Sequence, residues 1–297
     1  MNAKACNPKL YSINLQKPIT IRITDRLSVR LYMDSRPHCM ETASLQKGLI
    51  LMLNDYELID EGLGFGVPVA KYNDKTYFSS SAEVSIQQSH STFSLKKTYI
   101  LDTISRKKFW RASYIDDGFY SSVRKSFAKL YLTRKNLSPF LNTLMELREI
   151  AKIKTEFIKV KPRGAITVNY EIQPSTVNLS VDFSDLTLTG CEEVLVLNEQ
   201  GSTIFEKYAD TSGSKLFGRE IGAWDVITAD QASMVNAEEQ LAFSLQNIRG
   251  ATLFRGWERT RNRFSWAGLS YSLHPYQGIF DYSISLDYIG ISGNHAT

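Results

Sequence analysis

The stretch that decides the fold runs from Ala165 to Phe183 and reads AITVNYEIQPSTVNLSVDF. Ile166, Val168, Tyr170 and Ile172 recur at every second position, and Val177, Leu179, Val181 and Phe183 repeat the pattern beyond Gln173-Pro174-Ser175. Successive side chains of a strand point to opposite faces, so a period of two marks a half-buried strand. We therefore expect adjacent antiparallel strands at 165–172 and 176–183, with the four residues from Ile166 to Ile172 on one face.

The same signal extends outward. Val67 to Lys71 and Lys75 to Ser79 flank Tyr72-Asn73-Asp74, whose Asn and Asp suit a turn. Val194 to Leu197 and Thr203 to Phe205 flank Asn198-Glu199-Gln200-Gly201-Ser202 in the same way, which puts Glu199 in a solvated loop. Further strands are expected at 19–32, 49–59, 98–101, 109–114, 264–272 and 279–288. Residues 236–249 carry both patterns. Asn236 with Glu239 resembles a capping box and Gly250 a helix C-cap, while Leu241, Phe243 and Leu245 alternate as a strand does. The surrounding strands favour the second reading.

The expected fold is mostly β: an antiparallel β-sandwich or supersandwich with a short helical segment around 119–157. Within that segment Tyr120, Val123, Phe127 and Leu130 recur at helical spacing. Ser138-Pro139 starts a second helix with a stripe of Phe140, Leu144 and Leu147. No linker or repeat divides the chain, so residues 1–297 read as a single β-sandwich-like domain.

Composition agrees. The 297 residues are 43% hydrophobic and 22% charged, with fifteen Tyr and fifteen Phe, enough for a core that needs neither disulfide nor metal. Cys6, Cys39 and Cys191 show no framework or zinc spacing, which suits a reducing compartment. The N-terminal residues contain no apolar signal region, and no stretch approaches a membrane span of about 20 residues. A cytoplasmic location without membrane contact is the expectation.

Several familiar chemistries are missing from the sequence. Gly62-Leu63-Gly64-Phe65-Gly66 lacks the spacing of a dinucleotide-binding loop, and Val67-Pro68 prolongs extended chain where a helix would have to begin. A close-packed turn or bulge is the better reading. There is no phosphate-binding lysine loop, nucleophile elbow or H-E-x-x-H. His38, His90, His274 and His295 never approach ligand spacing, so neither metal nor cofactor is expected.

Charge is uneven. Arg106 to Arg163 holds fifteen Lys/Arg against five Asp/Glu, a net of +10, which leaves −6 elsewhere in a chain of +4. These positive residues are dispersed around an amphipathic pattern without a nucleic-acid signature, so they read as a solvated face rather than a nucleic-acid footprint. A second basic cluster, Arg255, Arg259, Arg261 and Arg263, is interleaved with Trp257, Phe264 and Trp266. Indole rings beside guanidinium forks can stack on a sugar and pair with its acidic group. Trp224-Asp225 offers a further indole–carboxylate pair, although alternation reads it as a core Trp with an exposed Asp.

The long antiparallel series, its aromatic content, and the segment from Trp257-Glu258-Arg259 to Ser272-Leu273-His274-Pro275-Tyr276 resemble the galactose mutarotase-like β-supersandwich proteins. That superfamily includes aldose epimerases and the sandwich domains of glycoside hydrolases and polysaccharide lyases. The resemblance implies a sugar ligand and places Glu258 where the epimerases carry a late glutamate. Their mid-chain catalytic histidine has no counterpart, because no histidine lies between His90 and His274.

The leading expectation is a carbohydrate-associated protein that binds a sugar or glycan, an anionic one included, with sugar-modifying activity as an extension. Trp257, Arg259, Arg261 and Trp266 would bind substrate, and Glu258 as base with His274 as acid would act on it. Strict alternation, however, puts Glu258 on the face opposite Trp257, Arg259 and Arg261. The alternative is a noncatalytic scaffold whose basic surface binds an acidic partner.

Overall fold

The computed structural model describes residues 9–10, 18–37, 44–60, 62–73, 75–88, 93–108, 154–236, 238, 240–259 and 265–288. In chain order the first strands are β1 (Lys9–Leu10), β2 (Ile19–Arg22), β3 (Leu27–Leu31), β4 (Arg36–Pro37), β5 (Ser44–Leu45), β6 (Leu49–Leu53) and β7 (Tyr56–Glu57). Next come β8 (Gly64–Tyr72), β9 (Lys75–Gln88), β10 (Phe93–Lys108), β11 (Lys154–Lys159), β12 (Ala165–Ile172), β13 (Thr176–Asp182) and β14 (Cys191–Gln200). The last are β15 (Phe205–Asp210), β16 (Lys215–Phe217), β17 (Ala223–Val226), β18 (Gln231–Asn236), β19 (Leu241–Gln246), β20 (Ala251–Arg259), β21 (Ser265–Leu273) and β22 (Ile279–Tyr288). The one helical element among the described residues is a 3-10 turn at Gly218–Ile221.

Among the described residues every strand pairing is antiparallel, and all strands but the β4–β5 pair belong to one hydrogen-bonded network with two arms. The first arm runs β1-β2-β3-β6-β8-β14-β21-β20-β17. The second runs β9-β10-β12-β13-β22-β19-β18-β15-β16. The hairpin β8–β9 joins them where Tyr72 faces Lys75 across Asn73, whose positive φ of 45° suits the turn. The chain thus has the expected mostly β, sandwich-type architecture.

The deciding hairpin sits at the centre of the second arm. Tyr170 faces Leu179 and Ile172 faces Val177, and Ile166, Val168, Tyr170 and Ile172 are all fully buried. They meet the first arm in one core. Phe65 of β8 packs edge-on against Phe243 of β19, with ring centres 5.0 Å apart. The Tyr170 hydroxyl donates to the Phe65 carbonyl at 3.1 Å, and that of Tyr282 donates to Asn198 Oδ1 at 2.8 Å. Lys97 is also wholly buried here, and its Nζ donates to the carbonyls of Tyr32 and Lys47, both at 2.8 Å. Burial pulls its pKa down to about 7. This buried amine pins both ends of the segment from Tyr32 to Lys47.

The first arm also buries part of its other face. Leu45, Leu63, Val67, Val69, Phe157 and Leu197 form a second, smaller core there. Strands covered on both sides read as continuous apolar runs, which is why Val194 to Leu197 lacks clean alternation.

Two expectations change, and a third lies outside the described residues. Of the helical segment at 119–157, residues 119–153 lie outside the described residues, and Lys154 to Phe157 belong to β11, paired with β10. The strand expected at 109–114 also lies outside them. The second change affects 194–205. Asn198, Glu199 and Gln200 are not a turn but the buried end of β14, whose partners are β8 and β21 rather than β15. Polar residues at a strand's end imitate a turn, and only the neighbouring strands reveal the difference.

Candidate functional site

The polar end of β14 is built against the glycine-rich run. Leu197 faces Val67, but Asn198 faces Phe65, so Gly66 is an extra residue in β8. It adopts φ +73°, a conformation that suits glycine in a bulge. A side chain at Gly66 would also strike Leu179, 2.6 Å from its Cβ. The bulge turns two backbone N–H groups onto β14. Gly66 donates to Asn198 Oδ1 at 3.0 Å, and Leu63 donates to Glu199 Oε2 at 3.0 Å. The expected close-packed bulge is therefore present, and one side of it supports a buried carboxylate.

Cross-strand register shows what shares that face. Glu199 is level with Gly268 of β21 and, beyond it, Gly256 of β20, while Trp266 faces Glu258 one step further along. Directly opposed residues lie on the same face, so alternation brings Glu199, Trp266, Glu258 and Phe254 to one side of the arm. The Glu199 and Glu258 backbones are two strand spacings apart, about 10 Å, and offset by about 7 Å along the strands. Both side chains are buried, with 6% and 5% exposure.

Trp266 fills the space beside them. Its ring lies directly on Gly256, where any Cβ would come within 2.2 Å of it. Its Nε1 donates to Glu258 Oε2 at 2.8 Å. Trp224 packs on Trp266 at 5.5 Å between ring centres and on Phe254 at 6.3 Å. Trp224 interrupts the β17–β20 register and holds φ +68°, uncommon for a bulky residue. It is also 36% exposed. An indole held in a disfavoured conformation with its ring partly in solvent marks a functional candidate rather than a core residue. The row thus grades from exposed Trp224 and half-buried Phe254, through Trp266, to the two buried acids.

Electrostatics set Glu199 apart. Burial, reinforced by the charge of Glu258, pushes its pKa up to about 7 against the opposing effects of the Leu63 N–H and nearby Lys47. A second set of hydroxyls fixes Glu258 from behind. Asp60 Oδ2 accepts from Ser265 Oγ at 2.7 Å and Thr203 Oγ1 at 2.6 Å. The Ser265 and Ser202 hydroxyl oxygens lie 2.6 Å apart, and Ser202 Oγ donates to the Glu258 carbonyl at 2.7 Å. Among the described residues no group of three or more His, Cys, Asp or Glu is arranged to hold a metal ion.

The structure sorts the residues expected from sequence. Glu258 and Trp266 meet through their hydrogen bond. Trp257 lies on the opposite, core-facing side, 6% exposed, with its indole N–H donating to the Ser202 carbonyl at 3.2 Å. It is a core residue, as strict alternation through β20 requires. Arg259 is at the strand end and pairs with Glu206 at 3.1 Å. Arg255 donates to the Ile221 carbonyl at 2.8 Å and lies 3.7 Å from Asp225, so its guanidinium is engaged too. Arg261 lies outside the described residues. His274 is exposed just past the far end of β21, eight residues from Trp266. Eight strand residues span about 26 Å, so Glu258 and His274 are not brought to one site. Trp224 and Asp225 reverse the expectation, because the bulge exposes the Trp and half-buries the Asp.

Sequence reasoning put Glu199 in a solvated loop and, although it named Trp224 as an indole platform, favoured a core position for it. Nothing within 194–202 distinguishes a buried polar strand end from a hairpin loop, and the bulge that turns Trp224 outward leaves no local signature.

No protein-family model matches the chain, and no curated protein matches it in sequence. Solved structures show a weak, low-identity likeness of fold to a varied set of proteins. An alpha-N-acetylgalactosaminidase, NagBb, from Bifidobacterium bifidum aligns at TM-score 0.44 and 5% identity over 95% of this chain and 36% of that one. The 4-alpha-glucanotransferase from Thermococcus litoralis aligns at TM-score 0.43 and 8% identity, over 95% and 39%. The Slr1438 protein from Synechocystis sp. PCC 6803 aligns at TM-score 0.36 and 8% identity, over 97% and 98%. The chain therefore spans little more than a third of the two named enzymes.

Proposed function

We propose that this chain binds a saccharide at the aromatic row of the first arm, with Glu199 and Glu258 as the acid–base pair of any sugar-modifying activity. One observation carries the reading: two buried carboxylates share a sheet face with Trp266, Trp224 and Phe254, and the outermost ring is exposed on strained backbone. An exposed indole presents a flat apolar surface for the C–H face of a sugar ring. Paired carboxyl groups can supply a proton donor and a proton acceptor for chemistry at sugar oxygens. Glu199 can hold its proton near neutrality.

The same geometry favours a neutral sugar over an anionic one. Arg255 and Arg259 already face carboxylates, and a second negative group would be repelled by the acids on this face.

A glycan array with wild type, Trp224→Ala and Glu199→Gln tests the proposal. Wild type is expected to bind a neutral glycan and Trp224→Ala to bind it about ten- to hundred-fold more weakly, a loss of about 1.4–2.7 kcal/mol. Glu199→Gln should retain binding while losing any turnover. Equal binding by wild type and Trp224→Ala would remove this site.

A further inference from the structure

The proposed acid pair has a support that reaches into the main core. Lys97 on β10 is wholly buried there, and its Nζ donates to the Lys47 carbonyl at 2.8 Å. The same peptide group turns its other end toward the glycine run, where the Gly48 N–H donates to the Leu63 carbonyl at 2.7 Å. Leu63 in turn donates its own N–H to Glu199 Oε2 at 3.0 Å. Three hydrogen bonds thus lead from an ammonium in the core to a carboxyl group of the candidate site.

The middle of this connection is stiff. A Cβ at position 48 would come within 2.0 Å of the Phe65 carbonyl oxygen, and one at position 64 within 3.0 Å of Gly48. The peptide between Lys47 and Gly48 therefore lies directly on β8, with no room for a side chain to part them. Satisfying carbonyls does not require a charge, and burying an ammonium costs free energy that a neutral donor would not. What the charge adds is a bond roughly twice as strong as a neutral one.

We infer that Lys97 is a positioning residue for Glu199: its ammonium holds the peptide between Lys47 and Gly48, that peptide holds Leu63, and Leu63 presents its N–H to the carboxyl group. This role rests on the proposed place of Glu199 in a saccharide site, and it names what tunes that acid. A hydrogen bond to a carboxylate favours its ionised form. With Leu63 held, Glu199 releases its proton at lower pH than burial beside Glu258 alone would allow; with Leu63 loosened, it keeps the proton to higher pH. The strands flanking β10 place Val84 and Val168 opposite Lys97, the Tyr99 ring lies 5.2 Å from Nζ, and Asp34 is the acid whose charge reaches it. The charges that reach Glu199 are those of Glu258 and Lys47.

The test compares wild type, Lys97→Met and Glu199→Gln as full chains by NMR. The Glu199 carboxyl-carbon resonance, identified by its loss in Glu199→Gln, is titrated from pH 5 to 9. Amide hydrogen exchange is followed at Leu63 and, as a reference for global stability, at Met234 in β18, which is paired on both sides. Lys97→Met should raise the Glu199 midpoint by at least about half a pH unit. It should also speed exchange at Leu63 by at least about tenfold relative to Met234. A general loss of stability would speed both amides alike, and the lost charge acting directly would move the midpoint without the Leu63 amide. Either result overturns the inference, as does an unmoved midpoint. Should Lys97→Met fail to fold, Lys97→Gln, which keeps a neutral donor, is measured instead with the same directions expected. No sugar enters these measurements, so their failure leaves the saccharide reading standing, and a blank glycan array leaves the hydrogen-bonded connection to be decided by them.

Discussion

Replacing Glu199 with Gln isolates the electrostatic state of the site. The carboxyl is buried on the sheet face beside Glu258, which moves its pKa from 4.5 to about 7 in the folded chain. Between those values the folded chain keeps a proton that the unfolded chain has released, so rising pH erodes stability. Moving from 4.5 to about 7 at about 1.4 kcal/mol per pH unit corresponds to about 3 kcal/mol. Glutamine keeps the shape and an oxygen for the Leu63 N–H but cannot ionise. Urea unfolding of both proteins at intervals from pH 4.5 to 8 gives a difference curve in which other titrating groups, Lys97 included, largely cancel. Relative to wild type, the variant should gain about 3 kcal/mol from the acid end to the alkaline end. A flat difference curve, or one in which wild type gains with pH, would refute the reasoning and remove Glu199 as a proton donor near neutrality.

Three further outcomes follow from the structure. Lys97 has its pKa lowered from 10.5 to about 7 by burial, so the folded chain binds fewer protons between those values and gains stability as pH rises. Lys97→Met should abolish that gain, about 5 kcal/mol in full, in denaturation measured from pH 6 to 11. Gly66→Ala should cost at least about 2 kcal/mol by thermal unfolding, because the residue has positive φ and its new Cβ would press on Leu179. Val181→Asp should cost about 3 kcal/mol, since Val181 is wholly buried and the new carboxylate would have no paired charge; an unchanged melting temperature would contradict this.

The fold was legible wherever one strand face is buried and the other wet. The alternation from Ile166 to Phe183 became adjacent strands in the expected register, and β22 alternates along its whole length. Legibility failed where a strand is covered on both faces or broken by a bulge. Near its end β14 packs against the glycine run, so its polar residues Asn198, Glu199 and Gln200 are interior, although their composition reads as a turn. Within the candidate site, Glu258 and Trp266 were singled out from the sequence because aromatic and charged residues cluster there. Trp257, one position away from Glu258, has the same sequence credentials and belongs to the core. Only the parity of β20 separates the two, and parity becomes useful once the buried face is known. His274 failed for a different reason: closeness in a late segment says nothing about distance along an extended strand.

The central claim is that the face carrying Trp224, Trp266, Glu199 and Glu258 receives a saccharide. Its most direct test is a crystal structure of the full chain grown with the neutral glycan that binds best on the array. The account predicts a sugar ring stacked on Trp224, with its hydroxyls directed toward the buried acids. A sugar found elsewhere with Trp224 untouched, or no neutral glycan bound at all, would contradict it.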